Sequence, residues 1–132
     1  MLIPNIHFPG NCDEALNFYK DALGAQVKEI HYFRDAPPNS GMEGLPPDFV
    51  MHSEVVIFDT TMYITDGGEK RPSGENFSFL ISIDTAEEAA AIFEKIADTG
   101  KIIVALAPQF WSSLYGSVED AFGVQWQIML KE

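Results

Sequence analysis

The stretch GNCDEALNFYKDALG, residues 10–24, has the pattern of an amphipathic helix with a defined start and end. Asn11 followed three residues later by Glu14 is typical of a capping box, and Gly24 stands where a helix C-cap belongs. Between them runs an apolar stripe at helical spacing, made of Ala15, Phe18, Tyr19, Ala22 and Leu23. The pattern predicts a helix over residues 12–23.

A second stretch, TAEEAAAIFEKIADTG at residues 85–100, repeats this design. An offset of 74 residues lays Asn11 on Thr85 and Glu14 on Glu88. Strand-like segments surround each helix in the same order. The sequence therefore predicts an α+β fold of two tandem βαβββ modules in a single domain over residues 1–132, built by internal duplication.

The modules span about residues 1–66 and 76–132, joined by a glycine-rich linker at about 67–75. Alternating or β-branched runs predict strands at 2–8, 26–34, 50–58, 61–66, 77–84, 101–106 and 123–130. Residues 110–116, FWSSLYG, are interpreted as a loop. The proline-rich segment 35–49 is too long for a bare connection, so we expect a mobile flap with an Arg34–Asp35 salt bridge at its base.

Composition limits the possible partners. The 132 residues are 46% apolar, and the formal net charge of −12 with only eight Lys and Arg argues against nucleic acid and against anionic membrane surfaces. No apolar run is long enough to span a membrane and the N-terminus lacks a basic signal-peptide region, so we expect a cytoplasmic protein. Cys12 is the single cysteine, which leaves no intrachain disulfide and no thiolate metal cluster.

Several short motifs point to a known family. They are I-P-x-I-x-F-x-G-N-C-x-E-A-L-x-F-Y at 3–19, V-M-H-S-E-V at 50–55, F-W at 110–111 and D-A-F-G-V-Q-W-Q-I at 120–128. With these motifs the chain resembles the vicinal oxygen chelate superfamily of glyoxalase I, bleomycin-resistance and extradiol dioxygenase proteins, and its PhnB-like branch in particular. The resemblance implies a curved, partly open mixed β-sheet around a small-molecule cavity, with the helices packed outside.

The metal-using members of that superfamily place ligands on the first and last strands of each module. The resemblance puts these positions on Pro4, Ser78 and Gln127, with only Tyr63 or Thr65 offered by the fourth strand. Zinc and iron prefer imidazole, thiolate and carboxylate ligands, which none of these residues supplies. We therefore expect no metal and no other cofactor.

His52 and Glu54 are two residues apart in the predicted strand VMHSEVVIF, so their side chains share one face of the sheet. A histidine beside a carboxylate suits the binding or protonation of a polar ligand. The same pair also suits an ion pair on a half-wet sheet. Both interpretations stay open.

The other candidate ligand-binding residues are Asp66, Gln109, Trp111 and Gln127. An aromatic cluster of Phe110, Trp111 and Tyr115, with Trp126 nearby, suits either a planar ligand or core packing. We expect His52, Glu54, Trp111 and Gln127 to converge on one pocket. Cys12, in the first turn of a helix, is either a reactive thiol or a small packed side chain.

Two classes of function remain: an enzyme acting through His52, Glu54 and Asp66, or a binding protein that sequesters a small molecule as bleomycin-resistance relatives do. A metal-dependent lyase or dioxygenase is a further alternative. The branch also carries the label of a demethylubiquinone methyltransferase, but the sequence has no G-x-G-x-x-G turn to hold S-adenosylmethionine. Apolar strands such as KIIVAL need cover along their edges, so we expect a homodimer.

Overall fold

The computed structural model describes residues 1–41, 44–67 and 76–132. The chain divides into two compact units, unit 1 at Met1–Arg71 and unit 2 at Pro72–Glu132. Except for Gly67, the predicted linker lies outside the described residues. Among the residues that are described, no helix has both the length and the apolar character needed to cross a membrane.

Each unit has the element order β-α-β-β-β, which confirms the predicted α+β fold of two tandem modules. Unit 1 contains β1 (Asn5–Phe8), α1 (Cys12–Leu23), β2 (Gln26–Tyr32), a short 3-10 turn (Phe33–Asp35), β3 (Val50–Ile57) and β4 (Thr60–Asp66). Unit 2 contains β5 (Phe79–Ile83), α2 (Ala86–Thr99), β6 (Lys101–Gln109), β7 (Ser112–Glu119) and β8 (Gln125–Leu130).

Each unit forms a four-stranded mixed sheet. The strand orders are β1-β4-β3-β2 and β5-β8-β7-β6, and only the first pair of each sheet is parallel. Each sheet therefore has two edge strands. In each unit the helix follows the first strand of the parallel pair, as a crossover between strands requires.

One face of each sheet packs against the helix of its own unit. In unit 1 the buried positions of the helix and of the two central strands form this layer: Cys12, Ala15, Leu16, Tyr19, Ala22, Leu23, Ser53, Val55, Ile57, Met62 and Ile64. Because side chains alternate along a strand, the residues between them belong to the opposite face, here called the helix-free face. His52, Glu54 and Val56 lie there and are half-buried.

The prediction of a loop at residues 110–116 is wrong. Phe110 and Trp111 alone turn the chain between β6 and β7, and the following residues form β7. Gly116 is typical of a turn, but it lies inside β7, where a Cβ would come 2.7 Å from Cε2 of Phe93 and 2.9 Å from Cα of Leu106. The glycine therefore marks close packing of β7 against helix α2 and strand β6 rather than a turn.

The long β2–β3 connection is tied at its base. The Phe33 amide donates to the Phe49 carbonyl at 3.0 Å and the Arg34 amide to the Pro47 carbonyl at 3.1 Å. Arg34 pairs with Asp48 at 3.1 Å between Nη1 and Oδ1, so the expected Arg34–Asp35 bridge is wrong. Oδ2 of Asp35 accepts the Tyr32 amide instead, which closes the 3-10 turn.

Candidate functional site

The helix-free face of unit 1 collects all three histidines of the chain. Strand register sets His7 beside Thr65 and His31 beside His52. Since β3 and β4 pair through Glu54 and Tyr63, the next residues on the same face are His52 and Thr65. The result is a row of side chains across four strands, here called the histidine row: His7, Thr65, His52 and His31.

Neighbouring members of the histidine row are in contact at both ends. The Thr65 hydroxyl lies 3.0 Å from Nδ1 of His7. The His31 and His52 rings are nearly parallel, 14° apart, with centroids 6.5 Å from each other. His7 faces away from Ile6 and Phe8 as its alternation predicts, and the β1–β4 pairing brings it to the face that carries His52.

A second row follows on the same face, made of Asn5, Tyr63, Glu54 and Glu29. The Tyr63 ring meets His52 edge-on at 4.7 Å between centroids. Nε2 of His31 and Oε1 of Glu29 are 2.7 Å apart. This hydrogen bond, with the charge of His31, lowers the pKa of the exposed Glu29 carboxyl.

His52 and Glu54 share one face and are both half-buried. Within the described part of the chain, neither ring nitrogen of His52 and neither carboxylate oxygen of Glu54 has a hydrogen-bond or ion-pair partner. Glu29, not Glu54, takes the histidine pairing on this sheet. The two central side chains of the face are therefore free to contact another molecule.

Asp66, a candidate ligand-binding residue, is buried with three amide donors around its carboxylate. Oδ1 accepts the Gly10 and Cys12 amides at 3.0 and 2.9 Å, and Oδ2 accepts the Val50 amide at 2.9 Å. The side chain is 3% exposed. It thus joins the start of α1 to the start of β3, which is a structural use of the carboxylate.

The capping box predicted at Asn11 does not form, because the Asn11 side chain makes no cap hydrogen bond. The Asp66 carboxylate receives the amide of Cys12, the first helical residue, in its place. Cys12 itself is fully buried, and its thiol pKa is raised by burial, then by the charges of Asp66 and Asp13. This environment is that of a packed side chain rather than a reactive thiol.

Unit 2 brings two of its three predicted site residues into a chain of contacts. The Tyr115 hydroxyl donates to Oε1 of Gln127 at 2.7 Å, and Nε2 of Gln127 donates to the Ser78 hydroxyl. The half-exposed Trp111 ring contacts the Tyr115 ring, with 5.5 Å between the ring centroids. Gln109 is paired with Ser112 where the β6–β7 hairpin closes.

Trp126 does not belong to that cluster. It is buried, and its indole donates to Oδ2 of Asp120 at 2.9 Å, while Oδ1 accepts the Phe122 and Val124 amides. The sequence motif at 120–128 contains Asp120 but does not by itself reveal this role. The sequence signal for a turn at Asp120 is an aspartate followed three residues later by Gly123.

The donors at the superfamily's metal positions do not fit a divalent ion. The Pro4 carbonyl accepts the Tyr63 amide at 2.9 Å, and its side chain has no ligating atom. Both polar atoms of the Gln127 amide are engaged with Tyr115 and Ser78. Over residues 1–41, 44–67 and 76–132, no group of three or more His, Cys, Asp or Glu side chains is arranged to hold a metal.

Comparison with known proteins agrees with the fold and the motifs. The family model described as 3-demethylubiquinone-9 3-methyltransferase matches residues 1–129. Protein YjdN of Escherichia coli K12 is 31% identical over 140 residues, covering 96% of this chain and 92% of YjdN.

Two solved structures give the same fold. One is a putative 3-demethylubiquinone-9 3-methyltransferase, PhnB protein, from Bacillus cereus, with a TM-score of 0.84, 22% identity and 98% of each chain covered. The other is the fosfomycin resistance protein FosX from Mesorhizobium loti, with a TM-score of 0.68, 11% identity and coverage of 98% of this chain and 89% of FosX. The chain belongs to the family described as 3-demethylubiquinone-9 3-methyltransferase, and it shares its fold with the PhnB and FosX proteins.

Proposed function

We propose that the protein binds a small organic molecule on the helix-free face of unit 1, with His52 and Glu54 as the central contacts and without a metal ion. The observation that carries this proposal is the state of those two side chains: half-buried, side by side and without a polar partner in the described part of the chain. Partly desolvated polar groups gain from a ligand that supplies the missing hydrogen bonds.

The surroundings of the pair support the same proposal. Tyr63 and His31 contact the His52 ring and give the site aromatic walls, which suits an organic ligand. Asp66 is not among the proposed contacts, because its carboxylate holds three amides. Sequestration of the ligand and catalysis on it are both compatible with this set of groups, and turnover of the bound molecule distinguishes them.

The methyltransferase activity named in the family description is not what we propose, and the residues that the structure describes form no evident site for S-adenosylmethionine. The strand–turn–helix at Gly10 is the place in unit 1 where helix amides would hold an anionic group. The Asp66 carboxylate already accepts the Gly10 and Cys12 amides there. The sheets of the described residues are four-stranded and mixed, unlike the doubly wound parallel sheet of dinucleotide-type folds.

We also propose that the protein is a cytoplasmic homodimer. Edge strand β6 leaves Ile102, Ile103 and Val104 exposed by 51%, 48% and 38%. Natural proteins protect bare apolar edges, and a second copy of the chain supplies cover. Light scattering at tens of micromolar should give twice the mass of the 14.7 kDa chain, and a monomer would contradict this proposal.

The binding proposal is tested by what purifies with the protein. Native mass spectrometry of protein prepared without chelator should show a small-molecule adduct, and Glu54→Gln or His52→Ala should lose it. Glu14→Gln on the exposed side of α1 is the matched control and should retain the adduct. An adduct that both site variants keep, or a stoichiometric metal bound through His52, would overturn the proposal.

A further inference from the structure

Among the described residues, the acidic side chains in the two rows of the helix-free face of unit 1 have no basic neighbour other than histidine in those rows. Glu29 and Glu54 are the two carboxylates, and no lysine or arginine occupies either of the two rows. The other ionisable groups of the two rows are the three histidines and Tyr63. A carboxylate, phosphate or phosphonate ligand in these rows would therefore meet two carboxylates and no lysine or arginine.

The lysines and arginine that the structure describes in unit 1 lie outside these two rows. Arg34 is paired with Asp48 and lies over the Tyr32 ring at 4.1 Å, and Lys20 is in the last turn of α1. Lys28 is exposed in β2, at the irregularity between Val27 and Glu29, and is the described lysine nearest to the two rows in sequence. None of them occupies a position in the rows that contain His52 and Glu54.

The two carboxylates of the face differ in availability. Glu29 is held by His31 at 2.7 Å, whereas Glu54 has no polar partner among the described residues. Glu54 is also the more buried of the two. A cationic group placed at Glu54 would be close to its register partner Tyr63, whose ring face attracts cations.

The rings around His52 define the other part of the ligand. Tyr63 stands edge-on to the imidazole at 82°, and His31 lies nearly parallel to it at 14°. This arrangement presents ring edges and faces to a flat apolar body. We infer that the site takes a small aromatic molecule bearing a protonated amine, with the ammonium at Glu54 and the ring against His52 and Tyr63. This inference rests on the proposed binding function and names the chemical class of its ligand.

Three probes that differ only in their polar end test the inference: 2-phenylethylamine, 2-phenylethanol and phenylacetate. Each is titrated into wild-type protein at pH 7.5 while the ring signals of His52 and Tyr63 are followed by NMR. The amine should bind about fivefold more tightly than phenylacetate, since an ion pair of this exposure contributes up to about 1 kcal/mol, a factor of about five. Its affinity should fall as salt is raised.

Two variants locate the charge that is responsible. Glu54→Gln should weaken 2-phenylethylamine about fivefold and leave 2-phenylethanol unchanged, whereas Glu14→Gln should change neither affinity. Equal or tighter binding of phenylacetate to the wild-type protein overturns the inference without any variant. If all three probes shift the His52 ring signal equally, the amine class is wrong while the proposed binding face stands. If none of them shifts that signal, the inference is wrong, and the co-purification experiment tests the proposed function separately.

Discussion

The two helices of this duplicated fold begin in different ways. Helix α2 is capped locally, since the Thr85 hydroxyl accepts the Glu88 amide at 3.2 Å. Helix α1 has Asn11 at the equivalent position, but the Asn11 side chain makes no cap hydrogen bond. A carboxylate from the end of β4, that of Asp66, accepts the Gly10 and Cys12 amides instead.

The difference shows that equivalent N-terminal positions of the two helices are stabilised in different ways, one by a local contact and one by a long-range contact. The α2 cap can form with the helix alone, because its donor and acceptor are three residues apart. The α1 cap requires β4 to be in place, because its partners are more than fifty residues apart. Asp66 also accepts the Val50 amide, so the start of α1 and the start of β3 depend on one side chain.

The helix-free faces of the units differ in chemistry as well. The face of unit 1 carries three histidines and two glutamates in adjoining rows. The central rows of unit 2 are neutral and contain Leu80, Ser82, Tyr115, Ser117, Gln127 and Met129. The two units share a backbone pattern, but the histidines lie only in the rows of unit 1, which is why the ligand proposals concern unit 1.

Removal of the long-range cap should have the largest effect. Asp66→Ala leaves three amides without their acceptor in a buried place, and we expect a loss of about 3–5 kcal/mol in the free energy of unfolding. Urea denaturation measures it. Asp66→Asn should lose less, because an amide oxygen can still accept the Gly10 and Cys12 amides. A loss below about 1 kcal/mol for Asp66→Ala would contradict the role of Asp66 as an anchor.

The buried thiol beside Asp66 should make stability depend on pH in alkali. Burial raises the pKa of Cys12 in the folded state, whereas an exposed thiol ionises near its ordinary value of about 8.5. The folded chain therefore keeps a proton that the unfolded chain loses. Stability from this group is complete below about pH 8.5 and should fall by about 1.4 kcal/mol per pH unit above it.

Cys12→Ala is the matched control for this pH dependence. Denaturation of both proteins between pH 8 and 10 separates the thiol from the tyrosines and lysines that titrate in the same range. The difference in unfolding free energy between the two proteins should narrow as pH rises. A constant difference would mean that the thiol is not held protonated in the folded state.

Loss of the local cap should have the smallest effect. Thr85→Ala removes one side-chain acceptor at an exposed helix start, and we expect a loss of about 1 kcal/mol. Asn11→Ala at the equivalent position of α1 should change stability by less than about 0.5 kcal/mol, since no cap bond is lost there. Equal losses for the two variants would remove the distinction between the local and the long-range cap.

Sequence patterns predicted the elements whose signals are local. The bounds of α1, the Thr85 cap and the strand containing His52 and Glu54 follow from spacing within a few residues. The pattern failed for β7, where Gly116 serves the packing of Phe93 rather than a turn. The sequence pattern also failed for the Arg34 ion pair, because Asp48 lies close to Arg34 only in the folded chain.

The sequence by itself determined the duplicated βαβββ order and the shared face of His52 and Glu54, since both depend on periodicity along one segment. Only the tertiary structure decided that His7 and His31 join that face, that Glu29 takes the histidine pairing and that Asp66 caps α1. These arrangements depend on which strands become neighbours and in which register. Register is set by the packing of the whole sheet, so no short segment contains it.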